Sequence, residues 1–168
     1  GLMLILTACS AQKRTDIPET RVSIIPPDGF VVLPGFNGLQ NNEKHGIEVQ
    51  DLTGNYYVLK GQYSSDQLES KGLKVLNTET VRIQNYEGFL HQIVMDDKSN
   101  AYNLVFGDST FCAVLFGTYK SSSSTDATKM KEALLTVNYD KSKTPPSLNA
   151  KVSLNDKESQ FKLAVSSS

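Results

Sequence analysis

The sequence is poor in the residues that mark several common protein classes. It has no tryptophan and only two cysteines in 168 residues, which excludes the dense disulfide framework of a small secreted domain. Its 17 lysine and arginine residues do not exceed its 18 aspartate and glutamate residues, which argues against a polyanion-binding protein. No apolar run reaches the roughly 18 residues of a spanning helix. An apolar fraction of 39% argues against global disorder, and the length suits one domain.

The N-terminal residues have the pattern of a membrane-targeting segment. Residues 1–8 are apolar and uncharged, and a polar run follows Cys9, so we predict the remnant of a secretory signal peptide over residues 1–8. The tetrad Leu6-Thr7-Ala8-Cys9 resembles the lipobox of bacterial lipoproteins. In that family the cysteine thiol is acylated with diacylglycerol and the cysteine becomes the new N-terminus. Each buried methylene contributes about 0.8 kcal/mol, so several acyl chains hold a domain on a membrane.

Two alternatives to lipidation of Cys9 are a disordered start with an incidental cysteine and a disulfide between Cys9 and Cys112. The disulfide is the weaker alternative because Cys112 lies in an apolar strand pattern. Residues 10–20 lack apolar periodicity, which predicts a flexible tether before a single globular domain over residues 21–168. Ser10 after the lipidated cysteine is compatible, by analogy, with the periplasmic face of the outer membrane in a cell with two membranes.

The middle of the chain predicts an antiparallel meander. Short breaks rich in turn-forming residues separate four strand-like runs, which are residues 73–83, 88–95, 101–106 and 110–119. Successive side chains alternate between the faces of a sheet, so Phe111 and Leu115 oppose Cys112 and Phe116. Both faces are therefore apolar and both must be covered. We predict an α/β/α sandwich around a central antiparallel sheet, of the mixed α+β class.

Two segments are candidates for the covering helices. Residues 54–70 have a possible helical face that is interrupted near Gly61. The second helix begins near Asp126, because an aspartate favours a helix N-terminus. Its apolar residues follow at spacings of three and four and form one stripe: Ala127, Met130, Leu134 and Val137. Beyond this helix, residues 151–154 and 160–165 predict two short strands.

The order of these elements resembles the PsbP-like (Mog/PsbP) family. The features that carry the resemblance are the segment from Val22 to Phe30, the meander over residues 73–119 and the helix over residues 126–138. The family includes a photosystem extrinsic subunit, the Ran-binding Mog protein and many bacterial envelope proteins of unknown role. The resemblance implies an α/β/α sandwich and a protein-binding adaptor. It implies no family-wide set of catalytic residues.

No motif in the sequence predicts a catalytic, cofactor or metal site. Cys112 and His91 are the one thiol–imidazole pair in the domain, but a simple meander places them two strands apart, at roughly 9.5 Å, which is too far for a dyad. The aspartates of the turns at Asp96 and Asp108 lie at opposite ends of the sheet, so they should not share a calcium ion. His45 has no second ligand at zinc spacing. The glycine-rich signatures of nucleotide sites are missing as well.

The best candidates for partner binding are Tyr56, Tyr57 and Tyr63, because tyrosine offers a large amphipathic surface and is enriched at interfaces. Packing of these rings between helix and sheet is the competing interpretation. The sequence therefore favours a membrane-anchored, non-catalytic envelope lipoprotein that binds a protein partner and neither nucleic acid nor a cofactor. The alternatives are a hydrolase or redox enzyme that uses Cys112 and His91, or a carrier of small apolar ligands between sheet and helix.

Overall fold

The computed structural model describes residues 13–144, which form ten strands, three α-helices and one 3-10 helix. The strands are β1 (Thr15–Asp16), β2 (Val22–Ile24), β3 (Val31–Val32), β4 (Gly38–Gln40), β5 (Gly46–Thr53), β6 (Lys74–Ile83), β7 (Tyr86–Val94), β8 (Ser99–Gly107), β9 (Phe111–Lys120) and β10 (Asn138–Tyr139). The helices are α1 (Tyr56–Leu59), the 3-10 helix (Lys60–Tyr63), α2 (Ser65–Ser70) and α3 (Ser124–Leu135). None of the helices in this part of the chain has the length and hydrophobicity that membrane crossing requires.

Two antiparallel sheets organise the fold. The larger sheet has seven strands in the order β3-β4-β5-β9-β8-β7-β6, and the smaller has three in the order β1-β2-β10. The predicted meander is confirmed as β6 to β9, with each strand paired to the next along the chain. Strand β5 joins this meander by pairing with β9 over seven residue pairs, from Ile47 opposite Gly117 to Thr53 opposite Phe111.

The two faces of the large sheet are both buried, as predicted. On β9, Phe111 and Leu115 belong to the larger core, while Cys112 and Val114 belong to a separate cluster on the opposite face. The larger core is closed by α3, through Met130 and Leu134, and by the three-stranded sheet. The opposite face is covered by α1, the 3-10 helix and α2. The architecture is the α/β/α sandwich expected from the sequence, with the small sheet sharing one side with α3.

Helix α3 packs its Met130 and Leu134 side chains over a glycine of β9, Gly117. A Cβ atom added to Gly117 would lie 2.4 Å from Sδ of Met130, so a larger residue would require the side chain of Met130 to move. The side chain of Ser123 caps the helix by accepting a hydrogen bond from the backbone N–H of Asp126. The helix begins two residues before the predicted start and ends at Leu135.

The folded domain begins earlier than Arg21, the boundary that the sequence predicted. Thr15 and Asp16 pair with β2, and Ile17 is buried in the larger core. One apolar residue in a polar stretch shows no periodicity, which is why residues 13–20 resemble a tether in the sequence. The signal peptide remnant, Cys9, and the strands predicted over residues 151–154 and 160–165 lie outside the described residues.

A buried ion pair joins the two sheets. Arg21 donates from Nε and Nη2 to the two carboxylate oxygens of Asp51 on β5, each at 2.9 Å. The hydroxyl of Tyr139 on β10 donates to the same carboxylate at 2.9 Å. The Asp51 side chain is fully buried, and its hydrogen bond raises the pKa of Arg21. Through Arg21 and Tyr139, the network links the small sheet to strand β5 of the large sheet.

Candidate functional site

A surface pocket of about 200 Å³ lies at one end of the domain, beside the N-terminal half of α3. Four separate segments line it: residues 27–30, residues 41–45, the end of β9 and the residues of α3 from Asp126 to Met130. Most of the side chains that line the pocket are polar or charged, and the pocket is open to solvent.

Local turn chemistry shapes two of the walls. The turn at residues 27–30 closes with a hydrogen bond from the N–H of Phe30 to the carbonyl of Pro27, and Gly29 adopts φ of 85°. The turn between β4 and β5 is organised by the side chain of Asn41, whose Oδ1 accepts from the backbone N–H groups of Glu43 and His45. Both loops are therefore held by internal hydrogen bonds.

The apolar part of the lining consists of Phe30, Tyr119 and Met130. Tyr119 and Met130 are buried, and both belong to the larger core. The ring of Tyr119 stacks on Tyr102, with centroids 5.2 Å apart, and its hydroxyl accepts a hydrogen bond from Gln92 at 2.7 Å. Because Tyr119 and Met130 are 3% and 2% exposed, they present almost no surface to the pocket, and Phe30 is the one partly exposed apolar residue of the three.

The charged part of the lining is predominantly acidic. Asp28, Glu43 and Asp126 contribute three carboxylates and Lys129 one ammonium group, which leaves a formal charge of -2 with His45 neutral. The pocket does not assemble a metal site, because residues 13–144 hold no group of three or more His, Cys, Asp or Glu side chains that could bind an ion. The arrangement favours an organic cation over an anion.

The three tyrosines predicted to bind a partner lie in different environments. Tyr56 is 3% exposed and packs in the cluster with Val105 and Cys112, whereas Tyr57 is 50% exposed. The hydroxyl of Tyr63 donates to Gln50 Oε1 at 3.4 Å, beneath the 3-10 helix. Burial raises the pKa of Tyr56 to about 12. Only Tyr57 of the three offers a substantial exposed surface.

The structure does not bring Cys112 and His91 together. The register places His91 opposite Asn103 and Asn103 opposite Phe116, four residues beyond Cys112 on β9. Two strand spacings and four residues along a strand separate them by about 16 Å. Burial raises the pKa of the Cys112 thiol to about 12, so a thiolate is disfavoured. The dyad on which the enzyme alternative depended is therefore absent.

His91 instead links the sheet to the helical segment, which consists of α1, the 3-10 helix and α2. Its Nε2 donates to the carbonyl of Tyr63 at 2.9 Å, which requires the proton to be on Nε2 in the neutral ring. Its Nδ1 therefore accepts from the hydroxyl of Thr78 on the neighbouring strand at 2.8 Å. Burial lowers the pKa of His91. The imidazole is a neutral structural link between β6, β7 and the 3-10 helix.

This environment predicts a stability change at mildly acidic pH. The unfolded chain binds a proton at His91 with a pKa of about 6.5, whereas burial makes the folded-state pKa lower. The stabilisation is therefore complete above the unfolded pKa and decreases as the pH falls through the interval between the two values. In the wild type, His91 should lower the urea-derived free energy of unfolding between pH 7 and pH 5 by up to about 1.4 kcal/mol per pH unit. We expect His91→Gln to remove this contribution to the pH dependence. His45→Gln is the matched control, and equal slopes in wild type and His91→Gln would contradict the prediction.

The turn aspartates behave as ordinary turn residues. Asp96 accepts from the backbone N–H groups of Lys98 and Ser99, and Asp108 accepts from Thr110 and pairs with Lys141. The two turns lie at opposite ends of β8, as predicted. A second, shallow pocket of about 10 Å³ lies on the sheet itself, where Glu48 and Gln50 of β5 and Val114 and Phe116 of β9 line it, and it is too small for an apolar cargo.

Sequence reasoning missed the acidic pocket. Its lining comes from four segments that are each unremarkable as motifs, and none of their residues recurs at a ligand spacing. His45 and the turn at Asp28 were visible, but only the pairing of β4 with β5 and of β5 with β9 brings them beside α3. A polar turn that contains a histidine was the available signal, and it is not specific.

Comparison with solved structures supports the fold. The chain is similar to the solution structure of cyanobacterial PsbP (CyanoP) from Synechocystis sp. PCC 6803, with a TM-score of 0.51 and 8% identity over 79% of this chain and 96% of that chain. A crystal structure from Bacteroides thetaiotaomicron VPI-5482 has a TM-score of 0.50 and 14% identity over 92% of this chain and 60% of that one. No protein-family model and no curated protein matches the chain. At these identities the likeness concerns the fold alone.

Proposed function

We propose, from the premise that this domain has a PsbP-like fold, that the chain is a lipid-anchored protein of the bacterial cell envelope whose folded part binds a protein partner. The anchor is diacylglycerol on Cys9, and the periplasmic face of the outer membrane is its location in a cell with two membranes. The domain acts as an adaptor without catalysing a reaction.

The sequence around Cys9 supports the anchor. Residues 1–8 form an apolar run, the tetrad ending at Cys9 has the lipobox composition, and the following residues are polar. An acyl modification at this position would place the folded domain beside the membrane, since β1 begins at Thr15.

The acidic pocket is the single observation that carries the binding role. It is open to solvent, its two loops are held by internal hydrogen bonds, and its lining carries three carboxylates against one ammonium group. The enzyme alternative has less support because Cys112 and His91 are separated, and the carrier alternative has less support because the pocket on β5 and β9 measures only about 10 Å³.

Intact-mass analysis of protein purified from membranes of its native host tests the anchor. We expect a mass that corresponds to loss of residues 1–8 and addition of acyl chains, and release of the Cys9→Ser variant into the soluble fraction. A bare thiol in the wild-type protein would overturn the lipoprotein assignment.

Site-specific photo-crosslinking in the same membranes tests the binding role. A photoreactive amino acid replaces Asn42, in the turn beside the pocket, or Glu69, which is exposed on α2 at the opposite face. We expect one protein partner to be crosslinked from position 42 and not from position 69. Capture from neither position, with lipidation intact, would contradict the adaptor function.

A further inference from the structure

We propose that residues 31–36, at the outer edge of the large sheet, insert into the surface of the lipid bilayer that holds the acyl chains of Cys9. We name these residues the β3 tip. The inference rests on the proposed lipid anchor and gives the folded domain a second contact with the same membrane. The observation that carries it is an uncharged apolar hairpin edge whose side chains project into solvent.

The β3 tip lies within a long stretch of the chain that has no charge. Residues 29–42 contain no Asp, Glu, Lys or Arg, and no longer stretch without these residues occurs in the sequence, although 21% of the chain is charged. Asp28 and Glu43 bound the stretch. A charged side chain is costly to place in a bilayer, so an uncharged segment is the kind that can enter one.

Two adjacent valines of the β3 tip are exposed. Val31 is 59% exposed and Val32 is 37% exposed, because β3 is the outermost strand and has no sheet neighbour beyond it in the described part of the chain. Leu33 and Phe36 are half-buried beside them. Single exposed apolar residues are common on protein surfaces, but contiguous ones mark a surface that contacts a partner or a membrane.

The backbone of the β3 tip does not suit the addition of another strand. Strand β3 has two residues, and Pro34 just beyond it has no N–H to donate to a ladder. Gly35 adopts φ of 69°, and the N–H of Phe36 donates to the carbonyl of Leu33 at 3.3 Å, so the chain turns back at once. A partner strand would therefore find few backbone groups to pair with. The tip offers apolar side chains, which fit a lipid surface.

The hairpin geometry sets the depth of insertion. Val31 lies opposite Gln40 and Val32 opposite Leu39, so both valines lie in the ladder that β3 forms with β4. Backbone groups without partners are not tolerated in the hydrocarbon region. A tip held by this ladder and its turn can enter the boundary between headgroups and acyl chains, to the roughly 5–10 Å that interfacial segments reach.

The β3 tip and the anchor belong to the same face of the large sheet. Phe30 and Leu39, on either side of the tip, pack in the larger core with Ile17, which directly follows β1. Four peptide units connect Cys9 to Lys13 and span at most about 14 Å. Acylation at Cys9 therefore holds this face near the lipid. Helix α1 covers the opposite face.

Fluorescence of a single introduced tryptophan tests the contact, because the sequence has no tryptophan of its own. Full-length variants are expressed in the native host, purified from its membranes and reconstituted into vesicles of phosphatidylcholine and phosphatidylethanolamine. Val31→Trp places the probe in the β3 tip. Val58→Trp is the matched control, because Val58 is a 73% exposed valine on α1. Phospholipids with brominated acyl chains quench a tryptophan that contacts the chains.

In the Val31→Trp protein, we expect brominated chains to remove about half or more of the emission, as at an interfacial depth. The Val58→Trp protein should keep its emission. Adding Val32→Asp to Val31→Trp should reduce the quenching about threefold or more, because a carboxylate is costly to place beside acyl chains. Val32 is on an exposed edge strand, so the far-UV circular dichroism should not change. High salt should leave the quenching intact, since salt screens charges and not apolar contacts.

Equal quenching in Val31→Trp and Val58→Trp, loss of quenching in high salt, or full quenching after Val32→Asp would each overturn the inference. Quenching of Val58→Trp alone would overturn it as well and would assign the membrane contact to α1. If intact mass shows acyl chains on Cys9 while Val31→Trp is not quenched, the anchor stands and the inference fails. If the thiol of Cys9 is bare while Val31→Trp is quenched by added vesicles, the tip contact stands without the anchor.

Discussion

Replacing Asp51 with alanine is expected to lower the free energy of unfolding by about 3–5 kcal/mol, the range for breaking a buried ion pair by removing one partner. The substitution leaves the guanidinium of Arg21 and the hydroxyl of Tyr139 without their shared acceptor. Because all three groups are largely buried, water cannot replace the carboxylate at low cost. The measurement is urea denaturation followed by far-UV circular dichroism, with the slope of the transition compared between proteins.

An exposed ion pair provides the control for this effect. Lys143 donates to Asp16 at 2.7 Å, but the Asp16 side chain is 76% exposed. Exposed pairs contribute little, so Asp16→Asn should leave the midpoint nearly unchanged. Similar losses of unfolding free energy in Asp16→Asn and Asp51→Ala would mean that the buried network stabilises the fold no more than an exposed ion pair does. A loss below about 1 kcal/mol in Asp51→Ala would do the same, since that is the range of an ordinary exposed pair.

The second large effect is expected at Leu134 on α3. This residue is 0% exposed and belongs to the larger core, so Leu134→Ala should cost about 2–5 kcal/mol through lost burial and the cavity left behind. The Met130 side chain already lies against Gly117, which limits how far the helix can move inward to fill the space. Thermal and urea unfolding of the variant measure the loss.

The neighbouring Leu135 offers a control of identical chemistry. Its side chain is 41% exposed, and Leu135→Ala should change stability by about 0.5 kcal/mol or less. A comparable loss of unfolding free energy in Leu134→Ala and Leu135→Ala would mean that α3 presents a different face to the sheet. The pair thus tests the orientation of the helix and not merely its existence.

The sequence was sufficient for the central sheet and α3 because their patterns are local. Alternation along β9 separates Phe111 from Cys112 correctly, and the spacing of Met130 and Leu134 identifies the buried side of the helix. The interruption near Gly61 also corresponds to the 3-10 helix between α1 and α2. In each case neighbouring residues in the chain carry the physical signal themselves.

Features that depend on distant pairing could not be predicted in this way. Asp51 comes directly after the alternating strand pattern of residues 47–50 and is a single polar residue in the sequence. Nothing near it indicates that Arg21 and Tyr139 will contact it. The burial of Ile17 depends on β1 pairing with β2, which two residues cannot signal. Tyr56 and Tyr57 are adjacent in sequence and their rings are in contact, yet one is buried and the other half-exposed, so residue type alone could not separate them.

The early start of β1 limits how far an anchored molecule could travel from its bilayer. Only four peptide units connect Cys9 to Lys13, the first residue described, and a fully extended chain of that length spans at most about 14 Å. An acylated form would be confined to a thin layer above the lipid headgroups. Encounters with a partner would then occur by lateral diffusion in two dimensions, and they would favour partners that are themselves held at the same surface.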